Sequence, residues 1–136
     1  MDIKELRRLC KELMITHWTI NDDGSINVHV DVNLMNKGLD RIPIKFNIVH
    51  GEFNISNNNL TSLENAPNKI SGNFYASNNK LKNLIGCPKY VNGRLSFKHN
   101  PLESLDGYDG NYDKIIVDNI EKFIRKKKIT EILDNI

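Results

Sequence analysis

A chain of 136 residues, 39% apolar and 26% charged with a formal net charge of +2, fits one domain long enough to bury a core. So small a net charge gives no bulk attraction to nucleic acid or anionic membranes, and no segment approaches the roughly 18 apolar residues of a membrane span. The two cysteines, Cys10 and Cys87, stand in unrelated contexts, which excludes a disulfide framework and suits a reducing cytosol.

Residues 2–14 read as a helix. Asp2 and Glu5 have capping-box spacing, and Ile3, Leu6, Leu9, Cys10 and Leu13 fall on one apolar face. The stretch is too charged for a signal peptide. In THWTINDDGSINV, strand-like residues flank Asp22-Asp23-Gly24, a hairpin turn. Trp18, the only tryptophan, either packs under this cap or stands exposed as an anchor for a partner.

A repeat follows. Gly51, Gly72 and Gly93 are 21 residues apart, and GEFNISNNNLTSLENAPNKIS, GNFYASNNKLKNLIGCPKYVN and GRLSFKHNPLESLDGYDG align behind them without a gap. In register are Phe53/Phe74/Leu95, Ile55/Ala76/Phe97, Asn58/Asn79/Asn100, Leu60/Leu81/Leu102 and Leu63/Leu84/Leu105. Pro67 aligns with Pro88, and Ile70 with Val91. A degenerate earlier copy is carried by Val32, Leu34, Leu39, Ile42, Phe46 and Val49. One further step puts Ile116 under Leu95 and predicts a last strand around Ile115–Val117.

Alternation at Phe53 and Ile55 marks a strand, which the asparagine closes; leucines then cross the core, and a Pro-containing extended return leads to the next glycine. Asn58 suits the turn because a short amide bonds to nearby backbone and tolerates the left-handed region. Stacked amides at 58, 79 and 100 predict a ladder satisfying buried backbone. Asn57, in register with Asn36, Asn78 and His99, serves the same turn, whereas Asn59 aligns with Gly38, Lys80 and Pro101 and is an exposed, variable position.

At the far end, Asp118 and Glu121 again have capping-box spacing. Ile120, Phe123, Ile124, Ile132, Leu133 and Ile136 form an incomplete helical face around the basic run Arg125-Lys126-Lys127-Lys128. That run is either a solvated helix face, favoured by the dipole near a C-terminus, or a phosphate-contacting patch for nucleic acid.

The spacing F-x-I-x-x-N-x-L over residues 53–60 resembles the leucine-rich repeat, and the 21-residue unit with its return proline resembles the short bacterial type. The run from Asp31 to Pro67 is similar to small leucine-rich-repeat proteins of tailed bacteriophages, a likeness extending over roughly residues 26–107; Ala76, Arg94 and the unit ending at Tyr108 depart from it. The resemblance implies an α+β repeat fold: a short leucine-rich-repeat solenoid of about four to five rungs of parallel strands. Residues 1–29 would form an N-terminal helix and hairpin cap, 30–110 the repeats, and 111–136 a last strand and C-terminal helix cap. It also implies a phage accessory protein in the cytoplasm of a bacterial host, binding a host protein and inhibiting or redirecting it.

Local chemistry for catalysis is missing from the sequence: there is no HExxH, phosphate loop, GxSxG or zinc-type spacing. No cofactor and no metal is therefore expected. His29 and His50 should stack on neighbouring rungs, either as a metal or pH-sensitive pair or as two exposed edge residues. Cys87 takes the place of Ala66, a small buried position. His17 and His99 have no acid or thiol at motif spacing.

The outward residues of the strands supply the candidate binding face. They are Asp31, Asn33 and Met35, then Glu52, Asn54 and Ser56, then Asn73, Tyr75 and Ser77, then Arg94, Ser96 and Lys98. The column Asp31, Glu52, Asn73, Arg94 runs from acidic to basic, with Tyr75 near its middle; Tyr and Arg are enriched at binding hot spots. A solvated polar sheet with uncorrelated charges would look the same at this level. Partner contacts are expected at Asp31, Asn33, Glu52, Asn54, Asn73, Tyr75, Arg94 and Lys98, and in the nucleic-acid alternative at Arg125 to Lys128. The flat face covers on the order of 200 Å², against roughly 800 Å² per partner for a stable interface. A partner must also reach the loops or terminal helices, or the chain must self-associate through a cap.

Overall fold

A computed structural model describes all residues, 1–136. It is a parallel-strand β-solenoid of about four turns with a helix at each end. Helix α1 (Ile3–Glu12) is followed by the hairpin of β1 (Trp18–Ile20) and β2 (Ile26–Val28) and then by β3 (Val32–Asn33). The coil continues through β4 (Phe46–Val49), β5 (Phe53–Asn54), β6 (Lys69–Ile70), β7 (Phe74–Tyr75), β8 (Tyr90–Val91), β9 (Leu95–Ser96) and β10 (Ile115–Ile116) to helix α2 (Ile120–Asp134).

The strands form two five-stranded sheets. One has the order β3-β5-β7-β9-β10, all parallel; the other is β1-β2-β4-β6-β8, parallel apart from the β1–β2 hairpin. The register is the 21-residue one: Val32, Phe53, Phe74 and Leu95 are successive partners, as are Val49, Ile70 and Val91. The extended return expected from the sequence is thus itself a ladder. Its strands are only two to four residues long, too short for alternation to announce them.

Between the sheets lies one continuous core. Phe53, Phe74 and Phe97 are completely buried, as are Leu34, Leu60 and Leu84. Phe46 meets Phe53 edge-on at 5.0 Å, and Phe74 meets Phe97 edge-on at 5.5 Å. Ala76, in the same column as Phe97, is itself completely buried, so the smaller side chain leaves no exposed gap in the column.

The glycine spacing has a steric cause. The amides of Gly72 and Gly93 donate to the carbonyls of Gly51 and Gly72 at 2.9 and 3.0 Å. A Cβ on either would stand 2.8 Å from that carbonyl oxygen, inside van der Waals contact.

The asparagine ladder is built as its register implied. Asn58 Nδ2 donates to Leu34 O of the preceding rung at 2.9 Å and to Ile55 O of its own turn at 3.0 Å. Its Oδ1 accepts from the amides of Lys37 and Leu39 at 3.1 and 3.0 Å. Asn79 repeats the pattern with Ile55 O, Ala76 O and the amide of Leu60, and Asn100 with Ala76 O, Phe97 O and the amide of Leu81. One expectation is corrected. The left-handed residue is not Asn58 but its predecessor: Asn36, Asn57, Asn78 and His99 all have φ between +56° and +60°. The turn divides its two demands, left-handed backbone at one position and amide bonding at the next.

The caps differ. Asp2 accepts the amide of Glu5 at 2.8 Å, and Leu6 and Cys10 bury into the core, with Trp18 half-buried against it. Asp118 does not cap α2. Its Oδ2 accepts the amide of His99 at 2.7 Å, where earlier rungs use a carbonyl of the next strand, and Asn119 begins the helix with φ +54° and no side-chain cap. The step to β10 is 20 residues, so Ile115 rather than Ile116 pairs with Leu95. One residue removed from the last loop exchanges inward and outward positions, and Ile115 and Val117 are the buried pair.

Candidate interaction face

Sheet β3-β5-β7-β9-β10 carries the polar face expected from the sequence, in columns set by its register. Asn33, Asn54, Tyr75 and Ser96 are successive ladder partners. Asp31, Glu52, Asn73 and Arg94 form the column before them, and Met35, Ser56, Ser77 and Lys98 the column after. Ser56 is corrected from exposed to buried: its Oγ accepts the amide of Ser77 at 3.2 Å, drawing it under the next rung.

The first column is hydrogen-bonded from rung to rung. Asp31 Oδ1 accepts the amide of Glu52 at 2.7 Å, and Asn73 Oδ1 accepts the amide of Arg94 at 2.9 Å. Asn73 Nδ2 donates to Glu52 Oε1 at 3.2 Å and to the Tyr75 hydroxyl at 3.0 Å. Asn54 Oδ1 accepts the amide of Ser56 at 2.9 Å, and Ser77 and Ser96 share a bond of 2.9 Å. Asp31, Asn73 and Asn54 therefore support the backbone as well as facing outward. Glu52, Arg94 and Lys98 are exposed, Tyr75 is half-exposed, and neither Arg94 nor Lys98 has a carboxylate within ion-pair distance. The face presents an acidic end, a tyrosine whose hydroxyl is held in place, and two unpaired cations.

Residues 125–128 are all exposed on α2. Four consecutive helical positions point in directions about 100° apart, so this basic run does not make a single-sided patch. Lys127 turns back toward the array, with its ammonium 5.1 Å from the centroid of Tyr112; hydrogen bonding to that phenol, with its charge, raises the lysine pKa.

Two concavities lay outside the sequence reading. A groove of about 510 Å³ separates residues 104–112 from α2 and is lined by Tyr108, Tyr112, Phe123, Lys126 and Lys127. A second, of about 290 Å³, lies at the open edge of β8 between Tyr90 and Tyr108. There Lys114 Nζ donates to Val91 O, covering an acceptor that the next strand would otherwise take. Neither was legible because both depend on the irregular last rung, which leaves the repeat register.

The cysteines behave as core. Burial pushes the Cys10 thiol up to about 11; burial, with the Asp109 charge, pushes Cys87 up to about 12. Both remain protonated thiols at neutral pH, poor nucleophiles and poor metal ligands. The His29 and His50 rings do stack, with centroids 5.1 Å apart and planes 10° from parallel, both exposed. No group of three or more His, Cys, Asp or Glu side chains is placed to hold a metal ion. No helix is long and apolar enough to cross a membrane.

Comparison with protein-family models, with curated proteins and with solved structures gives no match.

Proposed function

We propose that the chain is a short leucine-rich-repeat module, without enzymatic activity, that holds a protein partner against the sheet β3-β5-β7-β9-β10. The observation that carries this reading is the Asp31–Glu52–Asn73–Arg94 column. The Asp31, Glu52 and Asn73 side chains are hydrogen-bonded from rung to rung, so these three lose little freedom when a partner docks. Tyr75, its hydroxyl anchored by Asn73, and Arg94, unpaired, are residue types that supply binding energy at protein interfaces. The similarity of the repeats to those of tailed bacteriophages makes the natural partner a host protein in the bacterial cytoplasm, a defence or metabolic enzyme being the reasonable target.

The test is affinity capture from a bacterial host lysate, with nuclease treatment and with Tyr75→Ala and Arg94→Glu variants. One dominant protein that survives nuclease and is reduced at least tenfold by both variants supports the module. Equal capture by both variants removes this face from consideration. Capture lost on nuclease treatment, and on reversal of Arg125 to Lys128, would replace it with nucleic-acid binding.

A further inference from the structure

Three of the chain's four histidines fall in one row across neighbouring strands of sheet β1-β2-β4-β6-β8, on the opposite sheet from the interaction face. Trp18 pairs with Val28 and Val28 with Val49, so His17, His29 and His50 are the next residues in the same register. The amide of His29 donates to His17 O at 2.9 Å and that of His50 to Val28 O at 2.8 Å, which carries the ladder one step past the strands. The row stops there. The same position on the following rungs holds Ser71 and Asn92.

Within the row, His29 and His50 form a pair. Their rings are stacked, with centroids 5.1 Å apart and planes 10° from parallel, and both are exposed. The His50 ring makes no hydrogen bond, and His29 has only a long contact of 3.5 Å from Nε2 to Thr19 Oγ1. No carboxylate lies within ion-pair distance of either ring. Both are therefore free to turn about their side-chain bonds, and each neutral imidazole keeps a nitrogen lone pair. His17 differs, because its Nδ1 is tied to Thr16 Oγ1 at 2.9 Å.

An ion about 2.0–2.1 Å from two imidazole nitrogens at tetrahedral angles needs those nitrogens roughly 3.3 Å apart. Rings that start 5.1 Å apart with no competing partner reach that spacing by tilting toward each other. Imidazole ligands without a carboxylate select a late first-row cation such as zinc over magnesium or calcium. Cys10 and Cys87, buried thiols, do not compete for it in the folded chain.

We propose that His29 and His50 form a zinc-type metal site that clips β2, in the N-terminal hairpin, to β4, in the first turn of the coil. Water completes the coordination of the ion. With only two protein ligands, the site binds weakly and reversibly.

Calorimetric titration of the full chain with zinc chloride, and separately with magnesium chloride, tests it. The expected result is one zinc per chain and no binding of magnesium. His29→Ala and His50→Ala should each weaken zinc binding at least tenfold, whereas His99→Ala should leave it unchanged. In the absence of metal both variants should melt with the wild-type chain, since the two side chains are exposed. In proton magnetic resonance, zinc should shift the ring signals of His29 and His50 together and leave those of His99 in place. Zinc binding that survives loss of either imidazole overturns the proposal, as does no binding at millimolar zinc. One zinc shared by two chains, seen as a dimer in sedimentation, would overturn it too, because the ion would then join histidines of separate copies.

Discussion

The asparagines at 58, 79 and 100 show how one side chain can hold a repeat together. Each amide joins two rungs, donating to a carbonyl on its own turn and one on the turn before, while its oxygen accepts an amide of the earlier rung. Asn58 and Asn79 are buried, so water cannot replace these bonds. Asn79→Ala leaves the Leu60 amide without a partner, while Ile55 O and Ala76 O each keep a second donor, Asn58 and Asn100. An unsatisfied buried polar group costs about 1–3 kcal/mol, and we expect Asn79→Ala to lower stability by that amount in urea unfolding. Asn59→Ala, at the exposed position of the triple asparagine, should stay within about 0.5 kcal/mol. Similar costs for the two would mean that the ladder is not what fixes the turn. The register of the amides was legible from the sequence. Which of two adjacent asparagines takes the left-handed backbone was not, because both residues are suited to either task.

At the scale of the element, the repeat signal carried the inward columns of β5, β7 and β9 but not the strands β4, β6 and β8 that return the chain. Those strands are marked by Phe53, Phe74 and Leu95 at a fixed register, whereas a two-residue return strand has only one buried side chain to show. The same limit applied to Asp118, whose sequence spacing suits a helix cap but whose carboxylate closes the last rung instead. Glycine, in contrast, was a clear sign whose meaning needed the structure. At Gly72 the backbone of one rung meets that of the next with no room for a side chain. Gly72→Ala should therefore force the two turns apart and cost about 1–3 kcal/mol. Ser71→Ala, one residue earlier and exposed, should be close to neutral. Equal midpoints in parallel thermal melts would refute the close-approach explanation.

For the whole molecule, the decisive property is that each rung touches only its neighbours, with an incomplete cover at one end. The outward face was legible as columns, because a fixed 21-residue step fixes which side chains align. The grooves beside Tyr108 were not, since they arise where that step fails. An array of about four turns is short enough that losing a central rung should leave neither remainder stable, because nearest-neighbour interfaces supply most of the stability. Leu81 is 1% exposed at the centre, and Leu81→Ala should cost about 2–5 kcal/mol, lowering the melting temperature by roughly 10 °C. Two signals separate the ends of the molecule: fluorescence of Trp18, which packs at the N-terminal cap, and far-ultraviolet circular dichroism, which reports the helices and sheets together. If the array folds as one unit, Leu81→Ala shifts both melting curves by the same amount although Trp18 lies several rungs away. A Trp18 transition left in place while the circular dichroism curve moves would instead show that the cap and first rungs are stable by themselves. The proposed binding face would then rest on a separable half of the coil, and variants at Arg94 would have to be judged apart from those at Glu52.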